Sequence, residues 1–144
     1  MKTLALFALL LTACSGLAPS SSDTGDLMMA LTNYTRLIRW QRWSDAATYV
    51  PEETKGQWLQ EKMRGAQGLN IADVALAGVE QAGTNAEEAV AYVRIAWYRG
   101  GDMTLRESVW KQQWKLARGE GWRMQSEEAV EAPPAEDVPP PSWP

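Results

Sequence analysis

Downstream of Gly68 the apolar residues stop recurring at helical spacing and begin to alternate, and this switch constrains the fold more than any other feature of the chain. Residues 69–81, 87–99, 103–116 and 122–126 read as strands, parted by Ala82-Gly83-Thr84-Asn85-Ala86, Gly100-Gly101-Asp102 and Gly119-Glu120-Gly121. Connections this short leave no room for crossover helices, so consecutive strands must run antiparallel as a meander. In the third strand Met103, Leu105 and Val109 share one parity while Trp110, Trp114 and Leu116 share the other. A bulge near 109–111 would produce that change and bend the sheet. Before Gly68 the period is helical: Leu27, Ala30, Leu31, Tyr34, Leu37 and Ile38 form one face of a first helix. Ser44 is placed to cap a short second helix that Pro51 ends, and residues 52–64 set Trp58, Leu59 and Met63 along one side of a third. The expected fold is α+β, with three N-terminal helices packed on a bent four-stranded antiparallel meander sheet.

That plan occupies residues 26–126, about 100 residues, enough for a marginally stable core. What flanks it is of a different kind. Met1-Lys2 and the apolar run from Leu4 to Leu11 form a charged and then a hydrophobic segment, the latter too short to span a bilayer. The segment ends Leu11-Thr12-Ala13-Cys14, which resembles the lipobox of bacterial lipoproteins. Cys14 is the only cysteine, and an exported domain seldom keeps one unpaired thiol without a use for it. Residues 1–13 are thus expected to be a lipoprotein signal peptide cleaved between Ala13 and Cys14. Residues 14–25 follow as a lipidated Cys14 and a flexible tether. Within the lipoprotein resemblance the residue after the cysteine matters for sorting, and Ser15, in place of an inner-membrane-retaining Asp, implies the outer membrane, facing the periplasm. Residues 127–144 hold five acids and six prolines with no Lys or Arg, the composition of a disordered acidic tail. Its Pro139-Pro140-Pro141 run suits polyproline II and reads first as a spacer, with Trp143 as an alternative hook for a partner groove.

Composition bears on function mainly by exclusion. The chain has eight Trp and no His, so it can form no Ser-His-Asp triad, no Cys-His pair and no His-ligated metal. It shows no Gly-rich phosphate loop, calcium loop or zinc spacing, and neither cofactor nor metal is expected. The net charge of −4 is carried by the tail. The remainder is close to neutral and lacks the basic footprint of a nucleic-acid binder.

Helices first and a long bent meander after them resemble the nuclear transport factor 2-like superfamily, the cystatin-like cone that includes SnoaL-like enzymes and ketosteroid isomerase. The resemblance is closest to small bacterial lipoprotein members. It is carried by Tyr34, Arg39-Trp40, Ala46-Ala47, Tyr49 and Pro51-Glu52 in the helices, and by Trp110, Trp114 and Gly121-Trp122-Arg123-Met124 in the strands. It implies a pocket and, in members with open sheets, dimers through the sheet. The short early hairpin of larger members is missing, as is the His of the His-using enzymes.

The loop Gly100-Gly101-Asp102, taken as three residues, sets Arg99 opposite Met103. One face then stacks Val93/Val109, Ile95/Glu107 and Trp97/Leu105 as the helix-covered interior. Glu107 falls there on an apolar surface, where desolvation would raise its pKa and make it a site acid or base. The alternatives are a shift that turns Glu107 to solvent and an internal pair with an arginine. The pocket candidates are Tyr34, Trp97 and Glu107. The second face stacks Tyr92/Trp110, Arg94/Ser108, Ala96/Arg106 and Tyr98/Thr104. Its Tyr92, Arg94, Tyr98, Arg106 and Trp110 are candidates for an interface with a second copy or an envelope protein. Arg36, Arg39 and Arg42 drift along one helical side, which reads first as a solvated helix face and alternatively as a place where a tethered domain could meet anionic headgroups. The favoured reading is a non-catalytic ligand-binding or envelope-complex assembly module held to the membrane through Cys14. The alternative is a small isomerase or dehydratase with Glu107 as base and Tyr34 as donor to the oxyanion, by analogy with ketosteroid isomerase.

Overall fold

The structure, a computed structural model, describes residues 22–130 apart from Thr84. The expected signal segment, Cys14, most of the tether and residues 131–144 lie outside the described residues. Three helices precede four strands: α1 (Ser22–Arg39), α2 (Trp43–Ala46) continued by a 3-10 turn (Ala47–Tyr49), α3 (Glu52–Gly65), β1 (Leu69–Gln81), β2 (Glu88–Arg99), β3 (Asp102–Ala117) and β4 (Gly121–Val130). The strands form one antiparallel sheet in the order β1-β2-β3-β4. This is the α+β meander that the period change implies. No helix among the described residues is long and apolar enough to cross a membrane.

The helices cover one face of the sheet. Leu27, Leu31, Tyr34 and Ile38 recur along one side of α1 and are buried against Ala46, Ala47, Val50 and Trp58 of the other helices and Ala89, Ala91, Trp114, Trp122 and Met124 of the sheet. Each large apolar side chain sealed in this layer contributes about 1.5–3 kcal/mol. Arg39 and the Gln41 amide donate to the carbonyls of Ile71 and Leu69, the latter at 3.0 Å, and so tie the end of α1 to β1. Ser44 lies inside α2 rather than capping it, since Arg42 precedes the helix and no side chain caps it. Met63 of α3 is exposed, not packed with Trp58 and Leu59.

Two features of the sheet overturn expectations about its faces. Gly100 and Gly101 form a two-residue turn, with Gly101 at φ 92° and Arg99 paired to Asp102. Asp102 steadies the turn by accepting the Thr104 amide at 3.1 Å, and hydrogen bonds from Thr104 hold its carboxyl below the usual range. An irregularity between Trp97 and Arg99 then leaves the rest of β3 one residue out from the expected pairing, so Val93 faces Trp110, Ile95 faces Ser108 and Ala96 faces Glu107. A one-residue slip moves every side chain to the opposite face. Even-numbered Ser108, Trp110, Gln112 and Trp114 therefore share the helix side, and Leu105 is exposed. Pairing of β3 with β2 runs unbroken from Lys115 to Arg106, so there is no bulge at 109–111.

The bulge lies in β4 instead. Trp114 pairs with Met124 but Gln113 pairs with Ser126, which leaves Gln125 as the extra residue. Trp122 and Met124 point inward before it, and Glu127, paired with Gln112, points inward after it. β4 continues to Val130, so Glu127 to Val130 belong to the domain and the expected tail boundary at residue 127 is corrected. At the other end α1 begins at Ser22, within the expected tether.

Candidate functional site

The inner face of the sheet converges on one carboxylate. The Glu127 side chain retains only 10% of its exposure, and a charge so placed is tolerable only when fully partnered. Four side chains supply the partners. Oε2 accepts the Tyr34 hydroxyl from α1 at 3.4 Å and the Gln112 amide from β3 at 3.2 Å. Oε1 accepts the Trp58 indole N–H from α3 at 3.1 Å and pairs with the Lys62 ammonium one helical turn further on. Each oxygen thus has two donors. The network extends outward, because the Trp114 indole donates to the Gln112 carbonyl oxygen at 3.1 Å and fixes which way that amide points. Lys62 is held from two further sides by the rings of Trp110 and Trp58, with centroids 4.7 and 5.6 Å away.

Tyr34 sits behind this carboxylate. Its ring meets Tyr49 and Trp114 edge to face at 6.0 and 5.4 Å. Burial raises its pKa well above 10.0, and the neighbouring Glu127 charge raises it further. The hydroxyl therefore stays a donor, with Glu127 Oε2 at 3.4 Å and Met124 Sδ at 3.7 Å as its acceptors.

In front of Glu127 lies a cavity of about 670 Å³ between α3 and the sheet. Trp43, Trp58, Trp97 and Trp110 line it together with Ile71, Ile95 and Met124, while Lys62, Ser108, Gln125 and Ser126 add polar groups. Trp97 donates its indole N–H to Ser108 Oγ at 3.0 Å, and the guanidinium groups of Arg99 and Arg106 stand over its ring at 5.9 and 5.5 Å. The volume suits a small organic molecule, and the indole walls share the lining with further polar side chains, Thr54, Gln57, Glu61 and Arg99.

The three pocket candidates part company here. Trp97 lines the cavity, and Tyr34 is separated from it by Glu127. Glu107 is exposed on the other face opposite Ala96, because the slip at the turn reverses its strand. The pairing of Glu107 as base with Tyr34 as oxyanion donor has no geometric basis: the two lie on opposite sides of the sheet, and the Tyr34 hydroxyl is turned to Glu127 and Met124. The interface cluster also divides. Tyr92, Arg94 and Tyr98 remain together on the outer face, whereas Trp110 and Arg106 belong to the helix side. Tyr92 is half-buried, its ring over the Gly78 backbone.

The residue that organises the site, Glu127, stands in an acid-rich and proline-rich neighbourhood that reads as tail. A signal did exist. Gln112 stands between Trp110 and Trp114 on one strand parity, and an amide in such a stripe needs a buried polar partner. Finding that partner requires the bulge at Gln125, which simple alternation does not reveal. Among the described residues no group of three Asp, Glu or Cys side chains is placed to hold a metal. The sequence matches no family model and no curated protein.

Proposed function

We propose that this protein is a lipid-anchored module of the bacterial envelope, with the nuclear transport factor 2-like plan, whose cavity binds a small molecule without transforming it. The ligand it suits has a flat or elongated apolar body and one polar end. The body would lie against Trp97 and Trp110, with the polar end toward Lys62, Gln125 and Ser126. The observation that carries the reading is the state of the two carboxylates that line the cavity: Glu61 is exposed and accepts the Gln57 amide at 2.8 Å, and Glu127, the recessed one, spends both oxygens on four protein donors. A general base needs a free lone pair aimed at substrate, and this carboxylate has the geometry of a structural anchor. The lipobox-like Leu11-Thr12-Ala13-Cys14 supports the address on the periplasmic side of the outer membrane.

Binding is tested with an anilinonaphthalene sulfonate dye, whose emission rises in apolar cavities. Ala66 lines the cavity at the end of α3, and Ala66→Trp would fill it. The wild type is expected to bind the dye saturably, and Ala66→Trp to weaken binding about tenfold or more, a loss of about 1.4 kcal/mol, at unchanged melting temperature. Equal binding by both proteins would show that the dye, and by extension the ligand, sits elsewhere.

A further inference from the structure

We propose that the outward side of α1 is a docking surface for a bilayer carrying anionic headgroups, and that it fixes the orientation of the domain on the membrane. The proposal rests on the lipid anchor at Cys14 proposed above. The inner side of α1 is used by the core through Leu27, Leu31, Tyr34 and Ile38. On the outer side Met28, Met29 and Trp40 are 42%, 59% and 68% exposed, three of the five large hydrophobic residues left open to solvent among the described residues. Met29, exposed Arg36 and Trp40 follow one another at spacings of seven and four, which places them on a single strip of the helix. From Leu27 to Ser44 the chain has Arg36, Arg39 and Arg42 and no acid. A Trp with flanking arginines suits the boundary between headgroups and acyl chains.

The end of the helix is built to hold Trp40 outward. Gln41 adopts φ 52°, a left-handed backbone uncommon outside glycine. Its amide donates to the Ile38 carbonyl at 3.0 Å and that of Arg42 to the Leu37 carbonyl at 2.9 Å, the paired bonds of a Schellman ending. The Gln41 side chain is anchored to Leu69, and the Arg39 guanidinium stacks on the Trp40 ring at 5.2 Å. Arg42 is engaged by Asp45 and Arg39 by the Ile71 carbonyl, so Arg36, held among the described residues to Asn33 by an exposed hydrogen bond, is the cation of the three most available to a headgroup. The length of chain outside the structure argues for the same partner. Seven residues separate Cys14 from Ser22 at the start of α1, and fully extended they span roughly 25 Å. An acylated Cys14 thus keeps α1 within about one helix length of the bilayer.

The test uses the full acylated chain in vesicles of phosphatidylcholine with about one-third phosphatidylglycerol, hydroxyl-radical labelling and peptide mass spectrometry. Leu105, 60% exposed on the outer face of the sheet, is the internal standard. Labelling of Met28, Met29 and Trp40 relative to Leu105 is expected to fall several-fold on these vesicles and to recover in Arg36→Glu and on phosphatidylcholine alone. Unchanged labelling would place the domain away from the bilayer and overturn the proposal. So would protection that survives in neutral vesicles and in Arg36→Glu, and growth of that protection with protein density would identify a second copy as the covering surface. The intact mass separates the premise from the proposal: a chain without acyl mass that leaves the vesicles sinks both, whereas an acylated chain with unprotected methionines sinks only the docking surface.

Discussion

Glu107 and Glu127 stand on neighbouring strands of one sheet, and their surroundings have little in common. Glu107 is exposed on the outer face, paired across the ladder with Ala96. Glu127 is recessed among indoles on the inner face and receives donors from α1, α3 and β3. The residue type is the same, and strand parity separates the two. A two-residue turn and the irregularity after it send Glu107 outward, and a single extra residue at Gln125 sends Glu127 inward. In an antiparallel meander a site is thus set by the bulges and turns as much as by the composition of the strands. Its donors are also why the inner carboxylate can be tolerated at all, since an unpaired charge in that layer would cost several kcal/mol.

The sharpest way to break the comparison is to remove one glutamate with its strand end. A chain ending at Ser126 loses Glu127 and the last ladder pairs of β4, and is expected to lose roughly 5 kcal/mol or to fail to fold cooperatively. A chain ending at Val130 should keep the stability of the full protein within about 0.5 kcal/mol in urea unfolding. Equal stability of the two truncations would return residues 127–130 to the tail. Next in size is Tyr34→Ala, which opens a void beside Tyr49 and Trp114 and removes a donor from Glu127. It should cost roughly 3–5 kcal/mol, and a loss under about 1 kcal/mol would mean that the ring is not packed as described.

A smaller effect follows from the Tyr34 hydroxyl, whose pKa burial and the Glu127 charge hold well above 10.0. The folded protein keeps a proton that the unfolded chain gives up, so the associated stability is fully present below about pH 10 and is lost as pH rises from there through the folded value. Urea midpoints measured on either side of about pH 10 should therefore drop less in Tyr34→Phe than in the wild type. An identical drop would place the titration elsewhere.

Much of the architecture was legible in the sequence because it rests on local periodicity. The bounds of β1, the helical stripe from Leu27 to Ile38 and the order of helices before strands all follow from spacing that one stretch of chain contains. The inward side of β2, with Val93, Ile95 and Trp97, was legible for the same reason. The facing of β3 was not, because it depends on how many residues the Gly100-Gly101 turn consumes, and one residue decides every position beyond it. Glu127 was hidden twice over: by neighbours typical of disordered chain, and by a bulge that reverses the alternation set by Trp122 and Met124. Such features are settled by pairing between strands, where sequence spacing carries little information.

The most direct measurement is the stability of two isosteric variants, Glu127→Gln and Glu107→Gln, in parallel urea titrations. An amide at residue 127 keeps one acceptor oxygen but turns an N–H group toward donors, and it leaves Lys62 without its counter-charge. Glu127→Gln is expected to lose roughly 2–4 kcal/mol, and Glu107→Gln to stay within about 0.5 kcal/mol of wild type. Equal losses in the two variants, or the larger loss in Glu107→Gln, would contradict the assignment of Glu127 as the anchor of the inner face.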